Sequence, residues 1–538
     1  MNAESNYVWW KHGVLYEIWP RSFYDTTGNG SGDLKGITAK LDYLSDLGID
    51  GVWLGPINAS PMVDSGYDVS DYRSIDPLYG TMADFELLLG EAHKRGIHII
   101  MDLVFNHTSD QHAWFIESSS SRDNPKRNWY IWHDAKRGRR PTNWKALVGG
   151  SVWEWDKKTK QYYLHSFLKT QPDLNWRNRE VRDAVYDTMK FWLDKGVDGF
   201  RCDILNYYLK DEALRDNPVS LSAGIYAGFQ KHLYTRDQPG MEEILKEMRS
   251  VLDRYENRMM VGEVYVAQEG PAMAVKCLGN EGDLCNLAFE FSLLFTKWDA
   301  SKFSEVIKQW YSVIPERGWP CNVLSNHDQP RAITRYAAGR DSNKRAKVMA
   351  AFLLTIRGTP FLYYGEEIGL KNSRISRRDV TDTIGKMYWP IVKGRDGERN
   401  PMQWSDGPYA GFSAVKPWLP LNSDYAEVNV EAQMKDPTSV LNFYRQLISL
   451  RRARAPLLRG GFELLSSDKY LIAYRRTYQN QLIYVILNFA GGQRSHVNDS
   501  NKRWNVLLST HRSSNSIVDK GNFVVYPYEA LILEEAES

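Results

Sequence analysis

Short apolar runs alternate with amphipathic stretches along most of the chain. GVLYEIWP (13–20), DGVWLGP (50–56) and IHIIMDLVFNH (97–107) read as strands buried on both faces. Between them, ITAKLDYLSDLG (37–48) and FELLLGEAHKRG (85–96) carry apolar residues at helical spacing and stop at glycine. The alternation resumes with a helix at VRDAVYDTMKFWLDKG (181–196) and a strand at GFRCD (199–203). Strands follow at RMMVGEV (258–264), LAFEFSL (287–293), CNVLSN (321–326) and TPFLYYG (359–365). Eight strands separated mostly by helices predict an α/β fold, a closed (β/α)8 TIM barrel. An open doubly wound sheet is the weaker choice, because no Gly-rich nucleotide loop follows the first strand.

Two segments break this rhythm. Residues 108–176 are rich in Trp, Asn, Ser and charge, with few helical runs, and are expected to be an inserted irregular α+β domain. From about 460, FELLSSD, YLIAYRRTY, QLIYVILNF and FVVYPYEALIL are short alternating strands, which predicts a C-terminal all-β domain over 460–538. The barrel then consists of 1–107 and 177–459.

Composition narrows the function class. Of the 538 residues 43% are hydrophobic and 25% charged, the balance of a soluble globular protein. A net charge of +2 gives no footprint for nucleic acid or an acidic membrane. The basic cluster KRGRR (136–140) reads as a solvated loop. Cys202, Cys277, Cys285 and Cys321 are far apart without a CxxC pair, against a disulfide framework or a zinc site. The N-terminus lacks a signal-peptide pattern, and no apolar run reaches the ~18 residues of a membrane span. A cytoplasmic monomer or homodimer is expected.

The chemistry gathers at strand ends. In GVDGFRCDIL (196–205), Arg201 and Asp203 share one face of a buried strand, which is costly unless the charges are matched. The third strand ends in Asp102, Asn106 and His107, the fifth in Glu263, the seventh in His327 and Asp328. Barrel enzymes carry their active sites at these C-terminal ends. No GxSxG or HExxH motif is present. Several carboxylates with arginine and histidine around them point to acid/base work on a neutral, hydroxyl-rich substrate.

The ordered set DLVFNH, GFRCDI, GEVY and NHD resembles the motifs of glycoside hydrolase family 13, the α-amylase family. QPDLN (171–175), YEIWPRSF (16–23) and RNPMQW (399–404) are similar to its α-glucosidase and oligo-1,6-glucosidase branch. The resemblance implies Asp203 as nucleophile, Glu263 as general acid/base and Asp328 as transition-state stabiliser. A retaining glycosidase needs an ionised nucleophile and a protonated acid ~5–5.5 Å apart. Arg201 beside Asp203 is expected to lower its pKa. The resemblance further implies that His107 and His327 bond the non-reducing-end glucose. Tyr67 would stack on it, and Asp64 with Arg399 would grip its distal hydroxyls, with Phe167 as an apolar wall.

The loop DTTGNGSGD (25–33) offers oxygens at Asp25, Thr27, Asn29, Ser31 and Asp33. Its twelfth position is Gly36, not the glutamate an EF-hand requires. In the family this loop binds a divalent ion, but Thr27 and Asn29 depart from its pattern. A weak structural Ca²⁺ or Mg²⁺ is expected, and no organic cofactor. The family's specificity position follows the nucleophile: Val accompanies α-1,6 cleavage, Thr or Ala α-1,4, and here it is Ile204. The long segment NYYLKDEALRDNP (206–218) resembles α-1,4-specific enzymes that also transfer glucose. Maltose-type substrates are therefore favoured, with isomaltose-type cleavage as the alternative. Sucrose isomerases carry RLDRD after the NHD strand, whereas here NHDQPR runs into AITRY. Trehalose-6-phosphate hydrolysis would need a cationic phosphate pocket. The family's transporter heavy chains need a membrane anchor.

Overall fold

The computed structural model describes residues 7–223, 228–264, 271–336, 339–498, 502–519 and 521–536. All eight expected strands form: β1 (Leu15–Ile18), β2 (Gly51–Leu54), β3 (His98–Leu103), β4 (Gly199–Cys202), β5 (Met259–Gly262), β6 (Leu287–Ala288), β7 (Cys321–Val323) and β8 (Thr359–Tyr363). They pair in parallel in the order β6-β5-β4-β3-β2-β1-β8-β7. A parallel bridge between Phe289 and Cys321 closes the ring.

Alternation along each strand separates two cores. Leu15, Trp53, Ile100, Met259, Val261, Leu287 and Phe361 cluster together inside the barrel. Val52, Ile99, Phe200, Cys202, Met260 and Leu362 pack with the surrounding helices. Gly199 makes room inside: a Cβ there would lie 2.9 Å from the Met259 sulfur. Each fully buried aliphatic side chain contributes about 1.5–3 kcal/mol.

The helices follow the sequence pattern with one exception. Met82–Lys94 opens with a capping box between Thr81 and Asp84. Arg179–Asp194 is N-capped by Asn178. The stretch read as one helix over 37–48 is two, Leu34–Ala39 and Leu41–Leu47, joined at Lys40. Asp33 caps the first of them at Gly36 N, so helix begins earlier than the periodicity suggests.

After β3 the chain leaves the barrel. A helix at Ala113–Ser118 precedes a three-stranded antiparallel sheet made of Trp132–His133, Trp153–Asp156 and Gln161–Leu164. Trp144, Ala146, Val152, Trp153 and Leu164 form its small core. Residues 136–140 are exposed. At the other end of the chain a six-stranded sheet begins with Gly461–Ser467, Leu471–Tyr478 and Gln481–Asn488, paired antiparallel. All four cysteines are buried and free. No helix among the described residues is long and apolar enough to cross a membrane.

Candidate active site

Strand register brings the charges together. Asp102 on β3 and Val261 on β5 are both partners of Arg201 on β4. Arg201 is almost fully buried. Its Nη1 lies 2.7 Å from Asp102 Oδ1 and 2.7 Å from Asp203 Oδ1, and its Nη2 holds Glu263 Oε2. One guanidinium therefore serves three carboxylates. Trp53 and Tyr67 rings flank it at 5.0 and 5.7 Å. Trp53 Nε1 and Tyr67 Oη donate to Asp102 Oδ2 at 3.3 and 3.1 Å.

This sharing corrects the expectation for Asp203. Burial pushes its carboxyl well above the ordinary range, against the pull of Arg201, and the charges of Glu263 and Asp102 push the same way. Asp102 is likewise raised by burial, to about 6, against Arg201. A single positive charge cannot keep three buried carboxylates ionised. The ligand-free carboxylate cluster around Arg201 therefore retains a proton.

Asp328 behaves in the opposite way. Burial opposes its ionisation, yet His327, Arg395 and Arg399 together hold it well below the ordinary carboxylate range. Arg399 Nη2 donates to Asp328 Oδ1 at 2.8 Å, and Arg395 Nη1 reaches the same oxygen at 3.3 Å.

The distal end of the site adds an arginine to the expected residues. Asp64 Oδ1 accepts from Arg395 Nη2 at 2.6 Å, not from Arg399. Arg399 is fully buried, stacked on Trp19 at 4.3 Å, with Nε donating to the His327 carbonyl. Asp382 fixes Arg395: Oδ1 accepts from its Nη2 at 2.7 Å and Oδ2 from its backbone N–H at 3.0 Å. The two arginines stand four apart in GRDGERNPMQW, and only the second matches the motif that was read.

Gln171 and Asp173 of QPDLN also join the site. Gln171 Nε2 donates to Asp64 Oδ2 at 3.1 Å and lies 3.1 Å from His107 Nε2. His107 Nε2 faces the Tyr67 carbonyl at 3.0 Å, and its ring packs on Phe167 at 5.0 Å. Burial lowers the His107 pKa, against the charges of Asp173 and Asp64. The buried Lys210 ammonium sits 2.6 Å from Asp173 Oδ2 and 3.0 Å from Asn106 Oδ1, tying the segment after β4 to the insert. Neither Gln171 nor Lys210 has a sequence signal beyond lying in or near a motif.

Ile204 occupies the left-handed region, with φ 42° and ψ 48°. A β-branched residue there is strained, by about 1–3 kcal/mol. The bend turns the Ile204 N–H toward Glu263 Oε2 at 3.4 Å, and Leu205 N donates to the Glu263 carbonyl at 3.0 Å. Beyond it, Asn143 and Asn217 exchange hydrogen bonds of 2.9 Å, fastening the 206–218 segment to the insert.

The 25–33 loop does not present open oxygens. Asp25 Oδ1 accepts from Thr27 N, Thr27 Oγ1 and Gly28 N, and Oδ2 from Gly30 N and Ser413 Oγ. Asp33 is taken up by Thr26 and Gly36 N, and Asn29 Oδ1 by Ser31 N. Ser31 Oγ accepts from Arg21 Nε. A cation at this loop would compete with these donors for the same oxygens. No group of three or more His, Cys, Asp or Glu suited to a metal occurs among the described residues.

Residues 17–461 match the α-amylase catalytic domain model. The chain belongs to the α-amylase family. Within the family it is 44% identical to an oligo-1,6-glucosidase of Parageobacillus thermoglucosidasius, over 90% of this chain and 91% of that protein. It is 41% identical to a probable α-glucosidase of Rhizobium meliloti, over 90% and 89%. Among solved structures, an α-glucosyl transfer enzyme superposes with a TM-score of 0.93 at 36% identity, covering 99% of this chain and all of that one. The chain is therefore a glycoside hydrolase of the α-glucosidase and oligo-1,6-glucosidase group.

Proposed function

We propose that this enzyme is an exo-acting, retaining α-glucosidase of short oligosaccharides. It removes the non-reducing-end glucose, favours maltose-type α-1,4 bonds, and transfers glucose to hydroxyl acceptors as well as to water. The observation that carries this reading is the convergence of Asp203, Glu263 and Asp328 beside a pocket end closed by the Asp64–Arg395 pair.

In this reading Asp203 attacks the anomeric carbon and Glu263 protonates the leaving oxygen. The proton retained in the ligand-free site must then reside on Glu263, leaving Asp203 charged beside Arg201. Attack forms a covalent glucosyl ester on Asp203. Glu263, now ionised, takes a proton from water or from an acceptor hydroxyl, which opens the ester. Asp328 stays ionised throughout and faces the developing oxocarbenium charge. Asp64, Tyr67, His107, His327 and Arg399 bind the glucosyl unit, with Arg395 added to that set. No step needs a metal.

For the linkage, the fastened 206–218 segment supports α-1,4 cleavage. The α-1,6 reading is favoured by the β-branched bulk of Ile204 and by the oligo-1,6-glucosidase relative. Initial rates of glucose release from maltose, isomaltose, sucrose, maltotetraose and soluble starch, side by side, decide the matter. Maltose well above isomaltose, with starch near zero, is expected. Isomaltose well above maltose would assign the enzyme to α-1,6 cleavage.

A further inference from the structure

Glu17 is a carboxylate in the barrel interior to which the reaction as written gives no role. It lies on β1, two residues after Leu15 of the interior cluster, with Trp53 and Tyr363 as its register partners. It is only 2% exposed, and its Oε1 lies 2.5 Å from His327 Nδ1. The His327 ring is itself 1% exposed and packs against both Trp19 at 5.1 Å and Tyr67 at 5.5 Å, which also face each other at 6.4 Å. Its Nε2 is 2.7 Å from Tyr67 Oη and 3.4 Å from Asp328 Oδ2.

We infer that Glu17 is a positioning residue that carries a proton, donates it to His327 Nδ1, and so fixes His327 as the Nε2–H tautomer facing Tyr67, Asp328 and the sugar. Asp102, held by Arg201, is an acceptor at neutral pH, so Tyr67 must give its only hydroxyl proton to Asp102 Oδ2. The 2.7 Å contact between Tyr67 Oη and His327 Nε2 then needs its hydrogen from the histidine. A neutral ring with hydrogen on Nε2 has a bare Nδ1, and the Glu17 oxygen beside it must be the donor.

The charged alternative is an imidazolium paired with a carboxylate. It would bury two more charges in a site already crowded with them. Burial opposes both charges most strongly. Arg201 favours a charged Glu17 and Asp328 a charged His327, but Asp328 and Asp102 face Glu17 with like charge, and Arg399, Arg201 and Arg395 face His327 with like charge. Burial accordingly raises the Glu17 carboxyl well above its ordinary range and drops the imidazole well below its own.

The inference rests on the glucosidase reading only for its kinetic arm. The ligand-free enzyme, labelled with ¹⁵N at histidine, is examined by NMR at pH 7, with the His327 signals identified by their loss in His327→Gln. An unprotonated Nδ1 and a protonated Nε2 are expected. Glu17→Gln supplies an amide N–H in place of the acid proton. It keeps that tautomer and stays within about threefold of wild-type kcat on maltose, whereas Glu17→Met loses the tautomer and about tenfold or more in kcat. A protonated Nδ1 in the wild type, alone or as imidazolium, would overturn the assignment. So would a Glu17→Met enzyme with unchanged tautomer and kcat. The expected tautomer in a protein that releases no glucose from any α-glucoside would support Glu17 and refute the proposed function.

Discussion

Arg395 Nη2 holds Asp64 Oδ1 at 2.6 Å, joining two residues 331 positions apart across the end of the pocket. This ion pair is mostly buried, and Asp382 and Gln171 hold its two members in place. In the proposed reading this pair would bound the site beyond the first glucose, which is the physical basis of exo-action.

Opening that end should weaken grip on the terminal sugar. Arg395→Ala leaves Asp64 without its ion-pair partner, at a cost below the about 3–5 kcal/mol of a fully buried pair because the site is part-exposed. Asp64→Ala leaves Arg395 held by Asp382 and Asp328 and removes only the carboxylate that faces the sugar in the proposed reading. Steady-state kinetics on maltose should show kcat/KM down about hundredfold or more. Values within twofold of wild type in both variants would remove the pair from substrate binding.

The two central carboxylates separate by substrate. Asp203→Asn should lower kcat on all α-glucosides by about a thousandfold or more, because no ester can form. Glu263→Gln should cost maltose about 10²–10⁴-fold, the range of general acid catalysis. p-Nitrophenyl α-glucoside should lose less in its first step, since nitrophenolate leaves without a proton. Equal losses on both substrates would contradict the acid role.

The shared arginine predicts a pH effect. The Asp102 charge raises Asp203, so Asp102→Asn should let Asp203 ionise at lower pH. The acidic limb of kcat/KM against pH should then move down, measured with the variant still folded by circular dichroism. Movement upward would contradict the sharing.

Two buried acids outside the catalytic trio predict how stability depends on pH. Burial raises Glu366 to about 7 and Glu398 to about 8. A raised carboxyl favours the folded state while it stays protonated. That contribution is full below the ordinary glutamate pKa and is lost as pH rises through 7 and 8. Glu398→Gln, which cannot ionise, should flatten the fall in Tm between pH 6 and 9. An unchanged slope would mean Glu398 does not titrate in this window.

How much of this was legible in the sequence depends on the range of the interaction. The eight strands could be read because barrel strands are buried on both faces and stand out as apolar runs. Asp203, Glu263 and Asp328 could be read because they lie just past the ends of such runs. Arg395 could not, since its partners sit at 64, 328 and 382 and only the closed barrel brings them together. The raised Asp203 was hidden for a related reason: Arg201 is two residues away, while Asp102 and Glu263 arrive from other strands. Glu17 was hidden inside a run read as ordinary strand, where its interior-facing position becomes visible only with the register.

If hydrogen bonds alone close the 25–33 loop, dialysis against EDTA should shift Tm by less than about 1 °C, which for a chain of this length corresponds to roughly 1 kcal/mol. Asp25→Ala, which strips five donors of their acceptor, should lower Tm by several times that shift. A large drop on chelation, restored by Ca²⁺, would contradict the hydrogen-bonded loop.

The central claim is that Asp203 forms a covalent glucosyl intermediate and releases glucose with retained configuration. Following maltose hydrolysis by ¹H NMR in the first minutes tests it most directly. Excess α-glucose over its equilibrium share, relaxing later by mutarotation, is the predicted result. Glucose released first as the β-anomer would mean single displacement by water and would contradict the account.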